Sequence, residues 1–138
     1  MKQDFDSNNV KKFEITLCKV NAEKIEKNPS GTRLTVTREY KYEILDLKEN
    51  TFSLKLNSKV SVEPEALFCI YLEYRINYEF THKVDTKFIK KNVEEILRPV
   101  GSEVSYVMST LTKFLTNNYF IMPPTITIEQ EKNKKQQK

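Results

Sequence analysis

The stretch FCIYLEYRINYEF, residues 68–80, alternates without a break. Phe68, Ile70, Leu72, Tyr74, Ile76, Tyr78 and Phe80 fall on one face, and Cys69, Tyr71, Glu73, Arg75, Asn77 and Glu79 on the other, because strand side chains have a period of two. At about 3.3 Å per residue this strand runs roughly 43 Å, against a usual length of about 5–6 residues. Its Glu73–Glu79 half is apolar on one side only, the mark of an antiparallel sheet with one wet face. Leu67, Cys69 and Tyr71 make the first half apolar on both faces, so that end is expected to be enclosed on both sides.

Three further segments carry the same period. RLTVTREYKYEIL (33–45) aligns Leu34, Val36, Tyr40, Tyr42 and Ile44, and only Arg38 interrupts the apolar row. TFSLKLNSKVSV (51–62) sends Phe52, Leu54, Leu56, Val60 and Val62 inward. FEITLCKV (13–20) aligns Phe13, Ile15 and Leu17, after which Val20 and Ile25 break the phase; one extra residue near Cys18 and Lys19 would restore it. The turns between strands are KNPSGTR (27–33), where Pro29 and Gly31 supply fixed and permissive backbone angles, DLKEN (46–50) and VEPEA (62–66).

After Phe80 the period changes to three and four. Phe88, Ile89, Val93, Ile96 and Leu97 form a short helix with Asp85 or Thr86 as N-cap, and Pro99 is expected to end it and open the next. The second helix, to about Asn118, stacks Val100, Val104, Val107, Met108, Leu111 and Leu115 on one stripe. Its other side carries Ser102, Ser105, Ser109, Thr112 and Thr116 with Tyr106 and Lys113. That hydroxyl-rich face reads either as an oligomer interface against a second subunit's helix (Tyr106, Ser109, Thr112, Lys113, Thr116) or as plain surface. Asn117 or Asn118 can stop the helix in a left-handed cap, and Pro123-Pro124 forces an extended path for NYFIMPPTITI.

The predicted fold class is therefore α+β: a four-stranded antiparallel sheet, a short helix, a long helix and an extended Pro-containing segment. Residues 1–11 are expected to be a flexible N-terminus, 12–128 a single domain and 129–138 a mobile basic tail.

Composition narrows the function. Fifteen aromatics in alternating blocks exclude a disordered chain, and two glycines hardly permit a phosphate loop, nucleophile elbow or dinucleotide fingerprint. His82 stands alone on a loop, and no catalytic or metal-ligating constellation can be drawn; the chain reads as no enzyme, without cofactors. The formal net charge of +4 is carried entirely by Lys132, Lys134, Lys135 and Lys138, leaving residues 1–131 neutral. A basic groove for nucleic acid is thus not expected. No apolar run approaches a membrane span and MKQDFDSNNV is too polar for a secretory signal, so a cytoplasmic protein without membrane partner is expected. Cys18 and Cys69 read as small buried or half-buried thiols.

Covering the sheet poses a quantitative problem. A helix of about 20 residues is roughly 30 Å long and 10 Å wide, whereas four strands present a face roughly 19 Å by 43 Å. Excess apolar area on a soluble chain is expected to serve self-association, a partner, or both.

Within this frame EEILRPVGSEVSYVMSTLTKFLTNNYFIMPPTI (94–126) resembles the SecB-type protein-export chaperones. Ile96, Leu97 and Pro99 match the step that opens that family's main helix, and Met122, Pro123, Pro124 and Ile126 its closing segment. The leading Phe13-Glu14-Ile15 strand is also similar. The resemblance implies a SecB-like fold, a homotetramer built as a dimer of dimers, and ATP-independent holding of unfolded or nascent polypeptides. Export SecB proteins are acidic, and the neutral body and basic tail here make the translocase motor a doubtful partner; a dedicated client such as an antitoxin fits better.

The leading expectation is a holdase for extended apolar segments, with client-binding residues Phe88, Ile89, Leu97, Tyr119, Phe120 and Met122. An ordinary core role competes for these six. The alternatives are a small apolar-ligand carrier, with a dry pocket lined by the even-numbered stripe, and a self-assembling structural or interaction protein.

Overall fold

The computed structural model describes residues 5–27, 33–64 and 66–128. The turn expected around Pro29 and Gly31, and the tail from residue 129, lie outside them. Among the described residues four strands, β1 (Val10–Ile25), β2 (Thr35–Leu47), β3 (Thr51–Glu63) and β4 (Leu67–Phe80), form one antiparallel sheet in the order β1-β4-β3-β2. β2, β3 and β4 are a meander. β1 precedes it in sequence but joins β4 at the far edge, so consecutive strands β1 and β2 sit about 14 Å apart, three strand spacings. The α+β class is as the alternation predicts; the pattern could not give the order.

Register follows the apolar rows. Leu17 lies opposite Tyr74 and Val20 opposite Leu72, with Cys18 as the extra residue, so the bulge returns Val20 to the inner face. Ile25 pairs with Leu67 and stays on the outer face, against expectation. A second bulge separates Ile44 from Asp46 on β2 and brings Leu47 opposite Phe52. On the outer face Ser53 donates to Asn77 Oδ1 at 2.6 Å, and Lys55–Glu43 and Arg75–Asp46 pair across strands at 3.4 and 3.3 Å. Cys69 and Tyr71 are half-buried there, as are Glu73, Asn77 and Glu79. Among the described residues no element crosses that face, and Leu67, Cys69 and Tyr71 are half-buried where enclosure was expected.

Helix α1 (Thr86–Lys91) begins at Asp85, whose carboxylate accepts from the Phe88 N–H at 2.8 Å. The break falls at Asn92, not at Pro99, and α2 runs Val93–Thr116 with Pro99 inside it. Asn92 leaves helical geometry, its Nδ2 donates back to the Phe88 carbonyl at 2.9 Å, and its Oδ1 accepts from the Phe5 N–H at 3.1 Å. Pro99 removes one ladder bond and crowds the Glu95 carbonyl. In the same turn the buried Tyr78 hydroxyl donates to the Ile96 carbonyl at 2.6 Å. Asn117, in the left-handed region at φ 66°, stops the helix. Besides the bond to Asn92, Phe5 meets the Phe80 ring edge-on, and a short turn, Ser7–Asn9, leads into β1.

From Tyr119 the chain runs back along α2 as an extended strap. Phe120 N–H donates to Thr112 Oγ1 at 3.1 Å, Ser105 Oγ to the Met122 carbonyl at 2.7 Å, and Ile128 N–H to Glu94 Oε2 at 3.3 Å. At its closest the Pro124 carbonyl occupies the space a Cβ on Gly101 would need. Glycine is required there for contact and not for backbone angle.

The covering problem is solved by three pieces. α1 closes the Phe80 end through Phe88, α2 spans about 36 Å of the middle, and the strap places Phe120 edge-on against Phe68 at 5.1 Å. Every inward residue of β3 and β4 is buried. The expectation that the β4 stripe outruns the chain's own cover is therefore corrected: helices and strap together suffice for two strands.

Candidate functional site: two uncovered flanks of the sheet

The cover is only as wide as two strands, and the sheet has four. On β1, Leu17 and Val20 point to the helix side but are exposed. On β2, Val36 and Leu47 do the same, with Leu34 just before the strand and Leu45 in its bulge. Phe13, Ile15, Tyr40, Tyr42 and Ile44 are half-buried at the margins of the core. Each flank is bounded on its outer side by a strand edge whose backbone N–H and C=O groups have no strand partner among the described residues.

The two flanks differ in their inner walls. Beside β1 the wall is α2 and the N-terminal turn, and a hollow of about 610 Å³ opens there between Phe5, Val10, Phe13, Tyr78, Arg98 and Pro99. Arg98 is held by Glu95 at 2.6 Å. Beside β2 the wall is the strap, and the groove contains two hollows. One of about 540 Å³ lies against Tyr40, Tyr42, Thr127 and Ile128, and one of about 200 Å³ against Val36, Phe120, Ile121 and Pro123. Arg38 lines both and donates to the Pro123 carbonyl at 3.3 Å. Burial raises the Tyr42 hydroxyl pKa, so the phenol remains a neutral donor at the floor of that groove.

The residues expected to contact clients divide. Phe88, Ile89 and Leu97 are core: Phe88 packs edge-on against Phe80, and Ile89 and Leu97 are fully buried. Met122, within the strap, is buried. Their apolar spacing, which suggested an open side, is the spacing that seats α1 and the start of α2 on the sheet. Tyr119 is exposed and Phe120 half-exposed beside the β2 groove. Missed in the sequence were Leu17, Val20, Val36 and Leu47, whose exposure follows from strand order.

Part of the hydroxyl face of α2 is engaged by its own chain. Thr112 accepts from Phe120 and donates to the Ser109 carbonyl at 2.9 Å, and Thr116 bonds the Thr112 and Asn118 carbonyls. The hydroxyls attributed to a second subunit thus hold the strap and helix end. Of the expected interface residues, Tyr106 projects at 71% exposure, whereas Lys113 Nζ donates to Asn117 O and lies over the Tyr119 ring. Phe114, two turns beyond Tyr106 on the same stripe, is 76% exposed.

The even-numbered stripe of β4 is packed core and not the dry pocket that a ligand carrier would need. Cys18 is exposed in its bulge, contrary to expectation; Cys69 is half-buried, and both are free thiols. His82 packs edge-on against Phe80 and Phe88. Among the described residues no group of His, Cys, Asp and Glu could hold a metal ion, and no helix is long and apolar enough to cross a membrane.

No protein-family model matches the chain, and no curated protein matches it by sequence. Solved structures do. The SecB-like chaperone Rv1957 of Mycobacterium tuberculosis, in complex with a ChAD peptide from the Rv1956 HigA1 antitoxin, superposes with a TM-score of 0.63 over 90% of this chain and 92% of that one, at 11% identity. The fold is SecB-like. A Streptococcus agalactiae protein of unknown function is also similar, with a TM-score of 0.47 and 13% identity over 86% of this chain and 99% of that one. At 11% identity the likeness to the mycobacterial protein is one of architecture.

Proposed function

We propose that this SecB-like chain is a molecular chaperone, a holdase that binds extended apolar segments of unfolded or nascent polypeptides without ATP and without catalysis. The observation that carries this reading is the pair of sheet flanks in which exposed apolar side chains adjoin unpaired strand edges. An unfolded chain presents apolar side chains on alternate sides and unsatisfied amides between them, and a flank of this kind answers both. Contiguous exposed apolar surface beside a free edge is otherwise an aggregation hazard, so its retention calls for a use.

Tyr119 and Phe120 belong to the client surface in this reading, with Leu17 and Val20 on one flank and Val36 and Leu47 on the other. Phe88, Ile89, Leu97 and Met122 support it from beneath. Assembly as a dimer of dimers would use the exposed Tyr106 and Phe114 stripe of α2. A dedicated client such as an antitoxin is consistent with the peptide held by the mycobacterial protein, and a cytoplasmic site of action with such a client.

The test is dilution of a chemically denatured protein into buffer with and without a stoichiometric amount of this one, in the absence of nucleotide. Light scattering by the aggregating protein is expected to fall severalfold. Identical aggregation curves would remove the reading.

A further inference from the structure

The β2 flank contains one feature that a general apolar surface would not. Its inward row reads Leu34, Val36, Arg38, Tyr40, Tyr42, Ile44, a single charge among apolar and aromatic side chains. The strap that forms the opposite wall, residues 119–128, carries no charged side chain. Glu39 and Lys41 also line the groove, but strand alternation sends their side chains to the outer face. Arg38 pairs with no carboxylate among the described residues; its hydrogen bond goes to the Pro123 carbonyl at 3.3 Å, longer than the usual 2.7–3.2 Å range. By contrast Lys24, the charge that ends the β1 row, lies 4.0 Å from Glu26.

We propose that Arg38 is a specificity-determining residue of the β2 groove, selecting extended polypeptide segments in which an acidic residue is flanked two positions away on each side by apolar or aromatic ones. This rests on the reading of the flanks as polypeptide-binding surface. A peptide that adds to the free edge of β2 presents alternate side chains on the face that Arg38 occupies. The side chain opposite Arg38 lies about 5 Å away between Cβ atoms, and its neighbours at two positions on either side fall beside Val36 and Tyr40. A carboxylate there accepts two N–H bonds from the guanidinium, a stronger and better-aligned arrangement than one long bond to a neutral carbonyl. A lysine in the same place meets like charge.

Binding of fluorescein-labelled nine-residue peptides to the full-length protein, read by anisotropy, tests this. The peptides share valine and phenylalanine at alternate positions and differ only in a central Asp, Asn or Lys. The Asp peptide is expected to bind about tenfold tighter than the Asn peptide, and the Lys peptide weakest. Arg38→Gln should equalise Asp and Asn, and Arg38→Glu should invert the order to favour Lys; Arg38 is solvent-exposed, so neither change disturbs the core. Higher salt should compress the differences. Equal affinities for the three peptides, or a ranking unchanged in Arg38→Gln, would overturn the assignment while leaving peptide binding intact; no binding of any peptide would remove both. An inward charge on an edge strand can also serve only to prevent edge-to-edge pairing. That role alone would give concentration-dependent self-association of Arg38→Gln with the peptide ranking untouched, and it too would overturn the proposal.

Discussion

Leu72 on β4 and Val20 on β1 face each other across one rung of the sheet and point to the same side, yet Leu72 is 0% exposed and Val20 47%. On the opposite half, Val62 of β3 is buried and its partner Val36 of β2 is 43% exposed. Residue chemistry barely differs within each pair. What differs is distance from α2 and the strap, whose combined width covers two strands. A central strand thus spends its apolar row on folding, whereas an edge strand with the same row keeps it available. The sheet is built four strands wide and roofed two strands wide, and the proposed function rests on that surplus.

The largest expected effect separates the pair directly. Leu72→Ala removes a fully enclosed side chain from the centre of the core and should lower unfolding free energy by about 3 kcal/mol in urea titrations. Val20→Ser, on the same rung, should cost no more than about 0.5 kcal/mol but weaken suppression of aggregation measured by light scattering. Comparable losses of stability for the two would mean that the β1 flank is covered in the working assembly, and the contrast between centre and edge would then hold for β2 alone.

A smaller effect probes what limits the roof. Gly101→Ala puts a Cβ against the Pro124 carbonyl, a backbone atom that cannot rotate away, so α2 and the strap must part. Overpacking of about 1–3 kcal/mol is partly offset by alanine's helix preference of about 1 kcal/mol, leaving a net loss of about 1 kcal/mol. Limited proteolysis should then cut within residues 119–128, where the wild-type strap is held. If the variant matches wild type in both stability and cleavage, the strap is not a fixed part of the cover.

Much of this architecture was legible in the chain. The unbroken period of two from Phe68 to Phe80, the Cys18 bulge, the Asp85 cap and the left-handed Asn117 each follow from a local rule that local sequence can state. The exposure of Val20 and Val36 does not, because strand order is set by long-range pairing that alternation leaves free. The helix break was misplaced for a related reason. Proline at position 99 reads as a boundary from its own chemistry, but Asn92, with its side chain bonded to both Phe88 and Phe5, holds the real one through a contact 87 residues away in sequence. Similarly, the Ser and Thr row of α2 did not reveal that Ser105, Thr112 and Thr116 bond within their own chain.

Two tyrosines under the roof give the finest measure of how the covered centre differs from the open flanks. Tyr78 donates to the Ile96 carbonyl, whereas the fully buried Tyr74 hydroxyl has no partner among the described residues. Burial raises the pKa of both phenols, and for Tyr74 the Glu103 carboxylate raises it further. At neutral pH Tyr78→Phe should cost about 1 kcal/mol, and Tyr74→Phe should cost nothing or stabilise by a similar amount, since an unsatisfied hydroxyl is removed. The sign with pH follows from linkage. Because the folded state favours the protonated phenol, the unfolded chain releases its proton first, at about pH 10, and stability falls as pH rises from there through the higher folded values. Each Phe variant should therefore lose stability less steeply than wild type above pH 10 in urea titrations, although the two change it oppositely or unequally at pH 7. An alkaline slope unchanged in both Phe variants would show that the steepness does not come from the covered centre.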